Sequence, residues 1–172
     1  MTPRELIPAL ADAVALLDQA CDRSAAYARR DGGSTARVDR LGATCEPIQP
    51  RAGFTLCAWV GGRLVERSCD DLTASAVAHC AGELAERARS LGAVATVRSS
   101  APSEPTVRHF AHPQRSDARL VPAADKIAAA RALRAELDGA EHLREAIAIV
   151  GDSHAEIVHV DRAHRFSQEL HR

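Results

Sequence analysis

Gly53–Leu91, GFTLCAWVGGRLVERSCDDLTASAVAHCAGELAERARSL, is the stretch whose reading decides the fold. Two extended runs, Gly53–Val60 and Arg63–Ser68, flank the pair Gly61–Gly62, and a helical pattern opens at Asp70–Asp71. A Gly-Gly pair accepts the positive φ angles that a two-residue hairpin turn requires. That turn pairs Ala58 with Val65 and Trp59 with Leu64. Side chains alternate along a strand, so Phe54, Leu56, Ala58 and Val60 share one face, and Trp59 and Leu64 lie on the other. Asp70 or Asp71 is placed to cap the helix. Val77, Cys80, Leu84, Ala88 and Leu91 recur at three- and four-residue steps, which makes one apolar stripe. The stretch predicts a hairpin feeding a helix that lies back on its own sheet.

Upstream, Pro3–Cys21 predicts a helix with a stripe of Leu6, Leu10, Ala13, Val14, Leu17 and Cys21, and Thr2–Pro3 reads as its cap. Ser24–Arg30 predicts a strand, Asp31–Thr35 (DGGST) a turn, Ala36–Arg40 a second strand and Leu41–Gly42 a break. Ala43–Ile48 predicts a third strand, weakened by Pro47, and Pro50–Gly53 a turn into the hairpin. Downstream, Ala93–Arg98 is a candidate strand. Ser99–Ala124 contains Pro102, Pro105, Pro113 and Pro122, and proline opposes helix at and before its own position. A helix follows near Ala123–Asp125, with a stripe of Ile127, Ala130, Leu133 and Leu137 and a stop at Gly139. Arg144–Val150 and Glu156–Asp161 predict two strands joined by GDSHA, and Arg165–Arg172 a third. The fold class expected is α+β: a mostly antiparallel sheet of short strands with helices packed on it. The expected organisation is a domain over 1–98, a proline-rich linker over 99–124, and a second domain begun but not completed over 125–172.

Composition narrows the function. Of 172 residues, 46% are hydrophobic but only 3% aromatic, so the core has to be built from Ala, Val, Leu and Ile. A net charge of −1 provides no electrostatic basis for binding nucleic acid or a membrane surface. No stretch approaches a membrane span and MTPRELIPAL is not a leader, so the chain reads as cytoplasmic. Five cysteines, an odd number without a CxxC pair, read as small buried hydrophobes in a reducing compartment. Cys45, Cys57 and Cys69 are spaced so that they could meet on adjacent strands.

The histidines are the first candidates for chemistry. His109 and His112 (HFAH) lie in the proline-rich stretch without a carboxylate or cysteine at ligand spacing, and read as part of a solvated loop. His154–His159, HAEIVH, superficially resembles a zinc-protease helix. Ala155 stands where the general base belongs, however, and Ile157, Val158 and Val160 favour strand, on which positions five apart face opposite ways. His164 continues the five-residue spacing. His79 lies off the apolar stripe of its helix, and Cys80 beside it faces the core, so the two do not make a nucleophile pair. Ser24, Ser68 and Ser75 lack a nucleophile-elbow context. DGGST lacks the lysine of a phosphate loop. Glu83, Glu86, Arg87 and Arg89 read as a wet helix face. No residue here is expected to be catalytic, cofactor-binding or metal-ligating.

Three stretches resemble the N-terminal half of the TldD/PmbA family, the modulators of DNA gyrase. They are YARR (Tyr27–Arg30) with the glycines after it, RAGFTLCAWVGGRLVERSCDDLT (Arg51–Thr73), and VPAADKIAAARALRAEL (Val121–Leu137) followed by REAIAIVGDSHAEIVHVD (Arg144–Asp161). The resemblance implies a longer parent with a β-rich C-terminal domain, assembled as a two-subunit particle around a chamber. It implies that TldD-like subunits carry a zinc-binding HExxxH motif in that C-terminal domain and cleave unfolded peptides. PmbA- or TldE-like subunits lack the motif and serve as inactive partners. No residue of this chain matches the motif, so the zinc is expected elsewhere in the parent. The partner expected is a second TldD/PmbA-type subunit. The alternative expectation is an inactive paralogue or a non-enzymatic interaction module.

Overall fold

The computed structural model describes residues 1–92, 104–111, 117–137 and 145–171. The elements run α1 (Ile7–Leu17), β1 (Arg23–Asp39), β2 (Gly42–Val60), β3 (Arg63–Cys69), α2 (Ala74–Ser90), β4 (Thr106–Ala111), a 3₁₀ turn at Ala118–Leu120, α3 (Ala123–Leu137), β5 (Ala148–Asp161) and β6 (His164–His171). The strands form one six-stranded sheet in the order β3-β2-β1-β5-β6-β4. The class is α+β with a mostly antiparallel sheet, as expected, and β4 runs parallel to β6.

The hairpin forms as its glycines dictate. Gly61 and Gly62 take φ of 56° and 78°, and Ala58 pairs with Val65 and Trp59 with Leu64. Phe54, Leu56, Ala58 and Val60 are all buried.

The chain divides into two compact units that interleave along the sequence. The first comprises Met1–Arg30, Arg51–Ala111 and Ala155–Leu170; the second comprises Asp31–Pro50, His112–His154 and His171–Arg172. In the first unit α1 and α2 pack against each other and against one sheet face. Leu6, Leu10, Leu17, Leu56, Val77, Val158 and Val160 are fully buried there, each stabilising by about 1.5–3 kcal/mol. Alanines on both layers, Ala26, Ala28 and Ala58 on the sheet and Ala81, Ala85 and Ala88 on α2, let helix and sheet interdigitate at native density. The second unit has a thinner core of Ala36, Val38 and Ala130, with Ile127, Val150, Ala43 and Cys45 packed around it.

Several expectations need correction. DGGST, Pro50–Gly53 and GDSHA are not turns; strand runs through all three. Neither Gly32 nor Gly33 adopts a positive φ. Their role is close approach to β5: a Cβ at Gly32 would lie 2.7 Å from the His154 ring, and one at Gly33 would overlap the Asp152 carbonyl oxygen. β3 pairs with Phe54–Val60, so among the described residues the earlier part of β2 keeps one edge unpaired, a setting in which strands tolerate proline.

The cap of α2 is Thr73, whose hydroxyl accepts from the Ala76 amide at 3.3 Å. Asp71 instead accepts from the Thr73 hydroxyl. Leu91 lies beyond the helix end and is exposed. α1 begins at Ile7, after a turn in which Thr2 and Glu5 exchange hydrogen bonds in the manner of a capping box. Within the expected linker, Thr106–Ala111 is strand β4. On α3 only Ala130 is buried, and Leu133 and Leu137 are exposed. The candidate strand Ala93–Arg98 and the stop at Gly139 lie outside the described residues.

Two glycine substitutions separate close approach from simple helix propensity. Gly33→Ala is expected to destabilise by about 1–3 kcal/mol, as overpacking against backbone does. Gly82→Ala, in α2 with nothing within 4 Å of the new methyl, is expected to stabilise by about 1 kcal/mol. Urea-unfolding midpoints of the two variants and the parent check both signs.

Candidate functional site

On β5, Val158 and Val160 point into the core, so His159 and Asp161 point to the opposite sheet face. The turn at Arg162–Ala163 then brings His164 back onto the same carboxylate. His159 Nε2 donates to Asp161 Oδ2 at 3.1 Å and His164 Nδ1 to Asp161 Oδ1 at 3.0 Å. The Ala163 and His164 amides also donate to Oδ1, at 2.8 and 2.7 Å. Burial pushes the Asp161 carboxyl upward, but the hydrogen bonds from His159, the Ala163 amide and His164 outweigh it and hold it at about 2, against an ordinary 3.8.

Aromatic rings frame this group. Tyr27 lies 4.8 Å from His159, Phe166 lies 5.0 Å from His164, and Phe110 meets Phe166 edge-on at 6.1 Å. On the same sheet face of the first unit, Arg23 stacks over Trp59 at 4.9 Å and Leu64 is exposed. This is the face opposite Phe54 and Leu56, and it carries apolar and aromatic groups as the hairpin pattern predicts. Both histidine rings spend a nitrogen on Asp161, and His164 Nδ1 also lies 3.1 Å from the Oδ2 that His159 engages. Among the described residues no cluster of three or more His, Cys, Asp or Glu is placed to hold a metal.

The second unit contains a different polar group. Lys126 is the chain's only lysine. Its Nζ donates to Asp152 Oδ2 at 2.5 Å and to Ser34 Oγ at 2.7 Å, and the Ser34 hydroxyl donates to Asp152 Oδ2. The Lys126 and Asp152 side chains are each only 11% exposed. Burial raises the Asp152 pKa, but the hydrogen bonds from Lys126 and Ser34 and the lysine charge outweigh it, so the carboxyl stays below its usual range. The serine accepts from an ammonium and donates to a carboxylate, an arrangement that locks the hydroxyl in place and does not activate it. Sequence reading misses this group because Ser34 and Asp152 lie in DGGST and GDSHA, segments of turn-forming residues, and Lys126 lies on a separate helix. A solitary lysine in an alanine-rich helix was the available signal.

The remaining candidates sit apart. His109 is on β4, not in a loop, with Nδ1 at 2.8 Å from the Ser167 hydroxyl; His112 lies outside the described residues. HAEIVH is strand, as expected. His79 is exposed beside Glu83, and Cys80 is buried. Cys57 and Cys69 lie on opposite faces of the β2–β3 hairpin. Cys57 bonds Glu66, its partner across β3, Cys69 packs against the helix-covered core, and Cys45 belongs to the second unit. Burial, reinforced by Glu66, pushes the Cys57 thiol up to about 12; burial and Asp18 push Cys21 up to about 11. Such thiols are poor nucleophiles. Ser24 is buried and bonded to the Val14 carbonyl and Asp18, Ser68 pairs with Thr55, and Ser75 lies beside Thr73. Glu83 pairs with Arg67, while Glu86, Arg87 and Arg89 line the wet side of α2.

No protein-family model matches the sequence, and no curated protein matches it. Solved structures share the fold. A proposed modulator of DNA gyrase from Bacteroides thetaiotaomicron VPI-5482 matches 97% of this chain and 38% of its own, with a TM-score of 0.66 and 16% identity. TldE from Thermococcus kodakarensis matches 94% of this chain and 36% of its own, with a TM-score of 0.61 and 15% identity. A proposed modulator of DNA gyrase from Thermotoga maritima MSB8 matches 87% of this chain and 33% of its own, with a TM-score of 0.58 and 6% identity. The α+β fold is therefore the one found in TldE and in these modulators of DNA gyrase, and the chain spans about a third of their length. Among the described residues no helix is long and apolar enough to cross a membrane.

The two polar groups respond differently to substitution. Asp161 has a depressed folded-state pKa, so its contribution is fully present above 3.8 and disappears as pH falls through about 2. Asp161→Asn is expected to lower the melting temperature near neutral pH, with the gap to the parent closing between those two values. Lys126→Met leaves the Asp152 carboxylate buried without its cation and is expected to cost about 3–5 kcal/mol. The double change Lys126→Met/Asp152→Leu is expected to cost less than Lys126→Met alone, by urea-unfolding midpoint.

Proposed function

We propose that this chain is the N-terminal portion of a TldD/PmbA-type metallopeptidase subunit. Its role in that reading is to shape the peptide chamber and the interface with a second subunit. The zinc site lies outside this chain, and an unfolded peptide is the substrate of the whole particle. The observation that carries the reading is the shared fold over 97% of this chain against 38% of a longer protein. The ordered sequence resemblances at Tyr27–Arg30, Arg51–Thr73, and Val121–Leu137 followed by Arg144–Asp161 support it independently. The sheet face bearing Tyr27, Trp59, His159, Phe110 and Phe166 offers the mixed aromatic and polar surface that a subunit contact or a chamber wall uses. The likeness to TldE favours a second reading, in which the parent is a catalytically inactive partner or an interaction module.

The parent reading frame tests both. Under the first reading it continues past Arg172 into a β-rich domain carrying HExxxH. The full-length protein with its partner then cleaves an unfolded peptide, and replacing that motif's glutamate abolishes cleavage. A β-rich domain without the motif, and no cleavage, selects the second reading. A stop codon directly after Arg172, a domain of unrelated type, or peptide cleavage by the 172-residue chain alone overturns the proposal.

A further inference from the structure

Strand β4, Thr106–Ala111, ends the sheet on one side; among the described residues it has β6 as its neighbour and no strand beyond it. The Thr106 amide donates to the Ala163 carbonyl at 2.8 Å, so the backbone polar groups of Thr106 are turned toward β6. Along a strand paired in parallel, successive residues turn their backbone groups to opposite sides. The N–H and C=O groups of Val107, His109 and Ala111 therefore point away from the sheet. Such a row is a template for another extended chain. β4 contains no glycine or proline to bend or block it, and all of its residues are exposed.

The side chains flanking this row select the partner. Arg108 and Phe110 are two apart on the strand and share a sheet face. Phe110 is 48% exposed and meets Phe166 edge-on, and on the other face Val107 is 68% exposed. An incoming strand thus finds apolar surface on both sides. Arg108 makes no ion pair among the described residues. The register places it beside Phe166, with His164 and Gln168 on the same face of β6, whereas Glu169 falls on the other face and pairs with His109. Asp161, which meets His164, is already bonded by both histidines and two turn amides. The edge therefore presents a cation beside an aromatic ring, with no carboxylate of β6 to compensate it.

A second copy of β4 matches this edge poorly. Antiparallel pairing on a common face sets Arg108 directly opposite its counterpart or diagonal to it, and like charges across a ladder destabilise. We propose that the β4 edge is a docking site for an extended acidic segment of another protein. The segment adds as an antiparallel strand, the more stable of the two orientations, with a carboxylate opposite Arg108 and an apolar residue opposite Phe110. Main-chain hydrogen bonds supply the attachment and alternate side chains the selectivity. The segment docks without being cut, so the site holds for a catalytic or a non-catalytic parent and stands or falls separately from the function proposed above.

Backbone ¹H–¹⁵N NMR of the 172-residue chain, titrated with acetylated and amidated hexapeptides, tests it. In TITEVT, paired antiparallel, the glutamate stands opposite Arg108 and the isoleucine opposite Phe110. Saturable shifts centred on the Val107, His109 and Ala111 amides are expected. TITKVT is expected to bind about tenfold more weakly. TIPEVT, whose proline removes the amide facing His109, is expected not to bind. Arg108→Glu, at an exposed position, is expected to reverse the order and favour TITKVT over TITEVT. Val107→Pro deletes an outward N–H, a change that edge strands tolerate, and is expected to abolish binding while the rest of the spectrum keeps its folded pattern. Absence of saturable shifts at β4 with TITEVT, equal affinity for TITEVT and TITKVT, or no reversal in Arg108→Glu overturns the proposal. Concentration-dependent dimerisation that shifts the same amides without peptide also overturns it, because a second copy is then the occupant.

Discussion

The close approach of β1 to β5 at Gly32–Gly33 is the constraint on which the architecture rests. At this point the chain's early strand meets a strand formed more than a hundred residues later; Ser34 and Asp152 are 118 residues apart in sequence. A side chain on either glycine would collide with the Asp152–His154 segment. The strand order places β5 directly against β1. Lys126 then closes the contact by bridging Ser34 and Asp152 from α3. A glycine-permitted backbone contact and a buried ion pair therefore act on the same few residues. Glycine supplies the space, and the charged groups penalise any register in which their partners fail to meet.

What could be read from the sequence divides according to the range of the interaction. The hairpin register, the inward face of β2 and the buried stripes of α1 and α2 follow from neighbours within a few residues, and they form as read except at Leu91, which lies past the end of α2 and is exposed. The segments DGGST, Pro50–Gly53 and GDSHA carry the same residue types that make turns, yet each lies within a strand. Gly33 is small because Asp152 approaches from the other end of the chain, and local reading has no access to that reason. The choice of Thr73 over Asp70 or Asp71 as the cap of α2 is a difference of two or three residues, within the normal uncertainty of helix ends.

The candidate polar groups show the same division. That HAEIVH is strand and not a zinc-binding helix was legible from Ile157, Val158 and Val160. That His159 and His164 meet on Asp161 was not, because the reading followed the five-residue spacing of the histidines and passed over the carboxylate between them. The Asp161 side chain organises the β5–β6 turn through two backbone amides, so the turn and the histidine pair share one determinant. Its aromatic surroundings come from Tyr27 and Phe110, distant in sequence and supplied by the sheet order.

The second unit is held together differently from the first. Its fully apolar core is small, and only one residue of α3 is buried. Burial alone would leave the rotation and register of this helix weakly specified. Two polar anchors specify them instead: Lys126 in the first turns bonds Ser34 and Asp152, and Arg134 near the end bonds the Asp39 carbonyl. Each anchor must be satisfied because its partner groups are half-buried or better, so a slip of one residue breaks both. With the helix pinned at two points, Arg131 between them has a fixed direction relative to the β1–β2 turn. The lysine pair thus helps determine which side of α3 is turned toward the β1–β2 turn.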